Sequence, residues 1–312
     1  MITSQLRFKD DDYSVETDSS LLTFATELQG LKLKPQAVDI SEGEQKLPEQ
    51  ISELLTSFDG YKLNDLNNAN LMNRVDSKFM LPLSFLPQLL QQLNGHYRVL
   101  DINGKRYFSY SNQYLDTPEL DLYQAHHNGK LNRYKVRRRR YVDTATEYLE
   151  VKLKNNQKRT LKTRIKLTKE NSTPLESRLD STAFIEQQTK GQFSDLRVTQ
   201  HSGYQRIALA NEEKAERLTL DFNLWYNTPE GGNKVTLPGF FIAELKQSKK
   251  SKNSPFYQLM SKHHVFPTSF SKYCIGCALL YSKSVKANQF KPVLSRITKL
   301  NHLDSLLPVE SK

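Results

Sequence analysis

The sequence predicts a strand-dominated α+β domain, an antiparallel sheet with peripheral helices, and three observations support it. From Arg74 onward, segment after segment alternates with period 2, the mark of a strand with two unlike faces. Asn103-Gly104 is a two-residue hairpin signal, and Asn128-Gly129 marks a second turn. In most of these segments Lys and Arg share one face while apolar residues fill the other.

Taken in order, Ile51, Leu54 and Leu55 after Pro48 predict a short helix that Gly60 ends. Arg74 to Phe79 and the aromatic-rich Tyr107 to Tyr114 read as strands, separated by a helical pattern over Ser84 to Leu93. Lys135, Arg137 and Arg139 share one strand face. Glu150, Lys152 and Lys154 alternate with Leu149, Val151 and Leu153, and Lys162, Arg164 and Lys166 with Leu161, Thr163 and Ile165. Arg217, Thr219 and Asp221 alternate with Leu218, Leu220 and Phe222, and Glu244 and Lys246 with Ala243 and Leu245. Further helices are predicted over Ser181 to Gln188, Ser254 to His263 and Ser271 to Ser282. The domain organisation expected is an acidic leader over 1–47, the strand domain over 48–284 and a basic, helical tail over 285–312.

Composition bounds the function. The 312 residues carry a net charge of +11 and a pI near 9.4, which favours anionic partners. That charge is uneven: residues 1–60 hold twelve acids against five bases, whereas residues 133–166 hold thirteen bases against three acids. No apolar run suits a membrane span, and the N-terminus lacks a secretory h-region, so a cytoplasmic protein is expected. Two cysteines, Cys274 and Cys277, exclude a disulfide framework and a four-ligand zinc site of the usual spacing. A Gly-x4-Gly-Lys-Ser/Thr phosphate loop is absent.

An ordinary solvent-facing sheet surface mixes charges of both signs; here base-x-base or acid-x-base recurs on strand after strand. Faces of this kind repel one another if they converge, unless a polyanion or a metal offsets them. The expectation is a closed or nearly closed barrel whose cationic lumen grips a chain of phosphates, with the few carboxylates holding a divalent cation.

Ten pieces in order carry a family resemblance: Asn73-Arg74-Val75-Asp76-Ser77-Lys78-Phe79, Tyr114-Leu115-Asp116-Thr117, Tyr123-x-x-His126, Asn132-Arg133-x-Lys135-Val136-Arg137-x-Arg139-x-Tyr141, Leu149-Glu150-Val151-Lys152, Lys162-x-Arg164, Tyr204-Gln205-Arg206, Arg217-x-Thr219-x-Asp221, Glu244-Leu245-Lys246 and Phe270-Ser271-Lys272-Tyr273. Over 63–284 the chain resembles the VTC domain, the catalytic module of the vacuolar transporter chaperone polyphosphate polymerase and its bacterial relatives, within the triphosphate tunnel metalloenzymes. The resemblance implies an antiparallel tunnel barrel of about eight strands. It implies transfer of the γ-phosphate of ATP onto polyphosphate with Mn²⁺ or Mg²⁺. It assigns phosphate-gripping roles to Arg137, Arg139, Lys162, Arg164, Arg206, Arg217, Lys246 and Lys272, with Arg74, Lys78, His126, Lys135, Lys152 and Ser271 as secondary contacts. Glu244 matches the metal-binding carboxylate, and Glu150 and Asp76 are further metal candidates.

The chain departs from the family in two places: Asp76 stands where many tunnel enzymes carry Glu, and His126 where the eukaryotic polymerase has Arg. An ordinary imidazole there would grip phosphate more firmly below its pKa of about 6.5. The eukaryotic enzyme works beside a membrane channel, so a separately encoded membrane partner is a further expectation. The alternatives are a triphosphate or nucleoside triphosphate hydrolase of the same fold, and a non-catalytic polyphosphate-binding module; specific nucleic acid binding is not expected. Many of the Tyr and Phe residues interleaved with bases around Tyr107 to Tyr141 are expected opposite the basic face as core, and Trp225 and Tyr226 are expected either to stack on an adenine at the lumen mouth or to serve as ordinary rim packing. Cys274 and Cys277 read as core residues of a helix.

Overall fold

The computed structural model describes residues 49–62, 65, 74–157, 159–167, 179–193 and 195–305; the acidic leader, Asn73 and Lys158 lie outside the described residues. The strands are β1 (Gly60–Tyr61), β2 (Val75–Pro82), β3 (Arg98–Leu100), β4 (Tyr107–Asp116), β5 (Arg133–Tyr141), β6 (Thr146–Lys154), β7 (Thr160–Leu167), β8 (Arg197–Asn211), β9 (Glu216–Asn227), β10 (Lys234–Leu237) and β11 (Phe240–Gln247). The helices are α1 (Glu49–Thr56), α2 (Leu86–Leu93), α3 (Asp121–His127), α4 (Leu179–Thr189), α5 (Pro255–Lys262), α6 (Lys272–Leu280) and α7 (Lys291–Ser305). One sheet holds all the strands, and eight follow an antiparallel path, β2-β11-β9-β8-β4-β5-β6-β7.

The sheet curls on itself. Lys152 of β6 lies within electrostatic reach of Lys78 on β2 and Glu244 on β11, although five strand steps separate β6 from β11 along the path. Among the described residues no ladder joins β2 to β7. Of the closed or nearly closed barrel expected, the second form holds, with an open seam between the two edge strands.

Period 2 works because each wall has two fates. On the outside, Phe79, Leu81, Leu218, Leu220, Ala243 and Leu245 pack under α1, α2 and α5, while Val136, Leu149 and Val151 pack under α4. On the inside, charge fills the middle, and Met80, Leu224, Tyr226, Phe240 and Ile242 close one end against α6 and α7. Burying each such large side chain is worth roughly 1.5–3 kcal/mol, so the outer layers hold the curvature that forces the charged faces together.

β8 has no counterpart among the alternating segments. It is the longest strand, and its middle is buried on both faces because β4 and β9 flank it and helices cover it. A strand buried twice loses alternation. α3 also escapes the sequence pattern. Leu120 at its N-cap sits at φ 60 and offers no capping side chain. Asp116 caps from further back, accepting from the backbone N–H of Leu122 at 2.8 Å and Tyr123 at 2.9 Å. Asn128-Gly129 ends α3 as a left-handed glycine cap, φ 64, whereas Asn103-Gly104, φ 53 and 80, makes the expected tight turn under the Ile102–Lys105 bridge.

α6 begins as the sequence suggests, with Ser271 Oγ accepting from Cys274 N–H at 3.2 Å, and its Cys274 and Cys277 are buried. Gly276 lets this helix lie directly on β8 and β9: a Cβ would stand 2.4 Å from Gln200 Oε1 and 2.5 Å from Tyr226 Cδ1. Alanine normally outranks glycine inside a helix by about 1 kcal/mol. Here Gly276→Ala is expected to destabilise by about 1–3 kcal/mol through overpacking, read as a lower thermal or denaturant midpoint.

Candidate functional site

Register fixes which inward side chains meet. Across β5, β6 and β7 the pairs form rows: Lys135, Lys152 and Lys162; Arg137, Glu150 and Arg164; Arg139, Tyr148 and Lys166. On the other wall Lys78 pairs Glu244, which pairs Thr219, and Asp76 pairs Lys246, which pairs Arg217. Arg206 of β8 lies opposite Asp221 of β9. Like charges directly opposite on neighbouring strands are destabilising. The lysine row is thus a local cost that the fold carries.

Three carboxylates reduce the cost, and each serves two bases. Glu244 takes Lys78 Nζ at 2.7 Å on one oxygen and Lys246 Nζ at 2.5 Å on the other. Glu150, 2% exposed, takes the Arg137 guanidinium at 2.6 and 2.8 Å and Lys162 Nζ at 2.6 Å. Asp221, also 2% exposed, holds Arg206 at 2.5 and 2.7 Å and receives Lys272 Nζ. Burial alone would raise all three carboxyls. Instead Arg137, Arg139 and Lys162 bring Glu150 down to about 2, Lys246 and Lys78 hold Glu244 well below the carboxylate range, and Arg206 and Lys272 depress Asp221. Each trio retains a net charge of +1.

Other bases rest on neutral partners. Arg139 donates to Asn112 Oδ1 at 2.9 Å and to the Tyr204 hydroxyl at 2.8 Å, and lies over the rings of Tyr110 and Tyr204. Lys135 Nζ donates to Ser271 Oγ at 2.8 Å, and burial, with Lys78, Arg137 and Arg133 nearby, lowers its pKa. Ser271 and Lys272 start α6, so the positive end of that helix stands between β5 and β9. The Nε of Arg217 and the Oγ of Thr219 are buried on β9 without a hydrogen-bond partner among the described residues, beside Lys246 and Glu244 respectively.

Of the remaining predicted residues, Arg164 lies over Tyr148, 4.4 Å from the ring centroid. Arg74 pairs with Asp76 at the exposed start of β2, at 3.1 Å. Asp76, Glu150 and Glu244 do not converge, and no cluster of three or more His, Cys, Asp or Glu side chains capable of holding a metal occurs among the described residues. His126 hydrogen-bonds the Tyr134 carbonyl oxygen at 3.0 Å, and burial and Lys135 push its pKa down to about 2. Both favour the neutral imidazole, against the firmer grip on phosphate that an ordinary histidine would gain in mild acid.

Two corrections concern aromatic residues. Tyr110, Tyr114, Tyr141, Tyr148 and Tyr204 share the charged face, since each lies opposite another inward residue. Trp225 points the other way, packed on the Gly203 backbone, where any Cβ would meet its indole at 2.4 Å. Asp221 and Tyr204 are legible in parity and motif without standing out as site residues; their roles emerge only from the bonds to Arg206, Lys272 and Arg139.

Residues 73–281 match the family described as VTC domain. The chain belongs to that family. No curated protein matches it. Among solved structures, this VTC-domain protein is similar to a candidate adenylate cyclase from Bacillus halodurans at 15% identity, covering 64% of this chain and 96% of that one, with a TM-score of 0.43. It is also similar to a candidate adenylyl cyclase from Hippeastrum, described as having a dominant triphosphatase activity, at 14% identity, 69% and 98% coverage and a TM-score of 0.41. No helix among the described residues of the VTC-domain protein is long and apolar enough to cross a membrane.

The Glu150 trio makes the wall of this VTC domain acid-sensitive. A carboxyl held at about 2 against an ordinary 4.5 contributes stability that is complete above pH 4.5 and is lost as the pH falls towards 2. The gap corresponds to about 3 kcal/mol. Glu150→Gln is expected to lose stability of that order at pH 7, and the difference from wild type should shrink steadily between pH 4.5 and 2.5 in denaturant titrations.

Proposed function

We propose that this VTC-domain protein transfers the γ-phosphate of ATP onto a polyphosphate chain, inside the basic lumen. Family membership supports a triphosphate-binding tunnel enzyme, and the carrying observation is the lumen's excess of bases over carboxylates across both walls. The lysine row of Lys135, Lys152 and Lys162, lacking a carboxylate in register, suits a linear polyanion better than a single small anion.

Phosphoryl transfer asks mainly for alignment and charge neutralisation. Arg137, Arg139 and Arg206 are fixed by hydrogen bonds before substrate arrives, so their remaining donors are preorganised for non-bridging oxygens. Lys246 and Lys78 neutralise charge as they leave Glu244 for phosphate, and Arg217 Nε and Thr219 Oγ1 gain the partners they lack. The acceptor is a terminal phosphate oxygen, already anionic, so the chain needs no strong general base. The lumen-facing carboxylate Glu244 suits Mn²⁺ or Mg²⁺ that arrives on its phosphates and takes one protein oxygen, not a cation held in an all-protein cage. Such a cation would supply charge neutralisation at bridging and terminal oxygens. A separately encoded membrane partner that receives the product belongs to the same proposal.

Incubation of the purified protein with ATP and Mn²⁺ or Mg²⁺, with products resolved on a gel stained for polyphosphate, tests the reading. A ladder of long chains is expected from wild type and none from Glu244→Ala. ADP and free phosphate without a ladder would replace the polymerase with a hydrolase. Unchanged polyphosphate binding without turnover in both proteins would leave a binding module.

A further inference from the structure

At the β5–β6 turn end of the lumen, aromatic rings replace phosphate-type ligands. Tyr141 closes β5, and Tyr148 is the second inward residue of β6, after Thr146; their rings meet edge to face at 5.9 Å, and Tyr141 also contacts Tyr110 at 5.1 Å. Both tyrosines are only half-buried. Arg164, opposite Glu150 in register, does not ion-pair with it, because Arg137 and Lys162 occupy that carboxylate. Its exposed guanidinium instead lies on Tyr148, and exposed Lys166 lies opposite Tyr148. A guanidinium plane stacked on a tyrosine at the open end of an anion-binding groove is the surface that a flat heterocycle stacks upon.

We propose that Tyr148 and Arg164, edged by Tyr141, form a nucleobase platform, so that the lumen takes a nucleoside triphosphate in a fixed orientation: base on Tyr148 and Arg164, phosphates towards Arg137 and the lysine row. The spacing agrees. Successive inward rows are two residues apart, roughly 7 Å along a strand, so the lysine row lies one row beyond Arg164 and two beyond Tyr148, at the reach of a ribose and its phosphate chain. This inference rests on the proposed triphosphate binding and adds a base-specific contact to it.

The test compares dissociation constants of ATP and inorganic tripolyphosphate, both with magnesium chloride, for wild type, Tyr148→Ala and Tyr148→Phe. Tyr148→Ala is expected to weaken ATP binding about tenfold, the scale of one stacked base, while tripolyphosphate binding stays within about twofold. Tyr148→Phe keeps the ring and is expected to bind ATP as wild type does. Equal weakening of both ligands by Tyr148→Ala would overturn the platform and reduce Tyr148 to a structural support for Arg164. Unchanged ATP binding in Tyr148→Ala would overturn it as well. Failure of wild type to bind tripolyphosphate would instead remove the triphosphate reading, and the platform with it.

Discussion

Bringing many cationic side chains to one interior is the constraint around which this protein is organised. The outer apolar layers under α1, α2, α4 and α5 supply the force that bends the sheet, and the bend is what makes the charges meet. Glu244, Glu150 and Asp221 then act as shared counterions, two bases to each. A one-to-one pairing would neutralise the lumen, and no pairing would cost more than a domain can spare. Two bases per carboxylate leaves a folded protein whose interior still attracts anions.

Tyrosines extend the same solution without adding negative charge. The stacked pair Tyr110 and Tyr204, 5.1 Å apart and 7° from parallel, lies against Arg139, Arg206 and Lys272. Ring quadrupoles attract such partly desolvated cations by about 0.5–2 kcal/mol each, the scale of a hydrogen bond. The charge remains available to a phosphate, since a ring cannot neutralise it.

Period 2 makes the basic face legible because Lys and Arg at i, i+2 leave few other readings, and most strands and helices follow from it. The strand that joins the walls does not announce itself, because Val198 to Ala210 is enclosed on both sides and alternation vanishes with the difference between the sides. Tyr107 and Tyr134 pack in the outer core as expected, but other tyrosines are misplaced for a related reason. Hydrophobicity assigns an aromatic ring to the core, but Tyr110, Tyr141 and Tyr148 are inward by register, where cation contact and a hydroxyl make a ring suitable for a charged wall. α3 is hidden because its cap comes from Asp116, outside the window in which a capping residue is sought. The lowered pKa of His126 comes first from burial and then from Lys135, nine residues along the chain and brought beside it by the α3–β5 turn.

Shared counterions also bear on how a long anion could move. A site that grips each phosphate with fully unpaired bases would bind a chain tightly and hold it in one register. On the proposed polymerase reading, an entering phosphate would compete with Glu244 for Lys78 and Lys246, or with Asp221 for Arg206 and Lys272, and the carboxylate would regain its partners when the phosphate steps on. On that reading the net gain per phosphate is small, and it is divided among the three shared carboxylates. Movement of an ion through a protein requires that combination: binding favourable enough to enter, and divided among enough sites to leave. On the proposed polymerase reading, the carboxylates that make the empty lumen foldable are the same groups that keep the filled one from trapping its product.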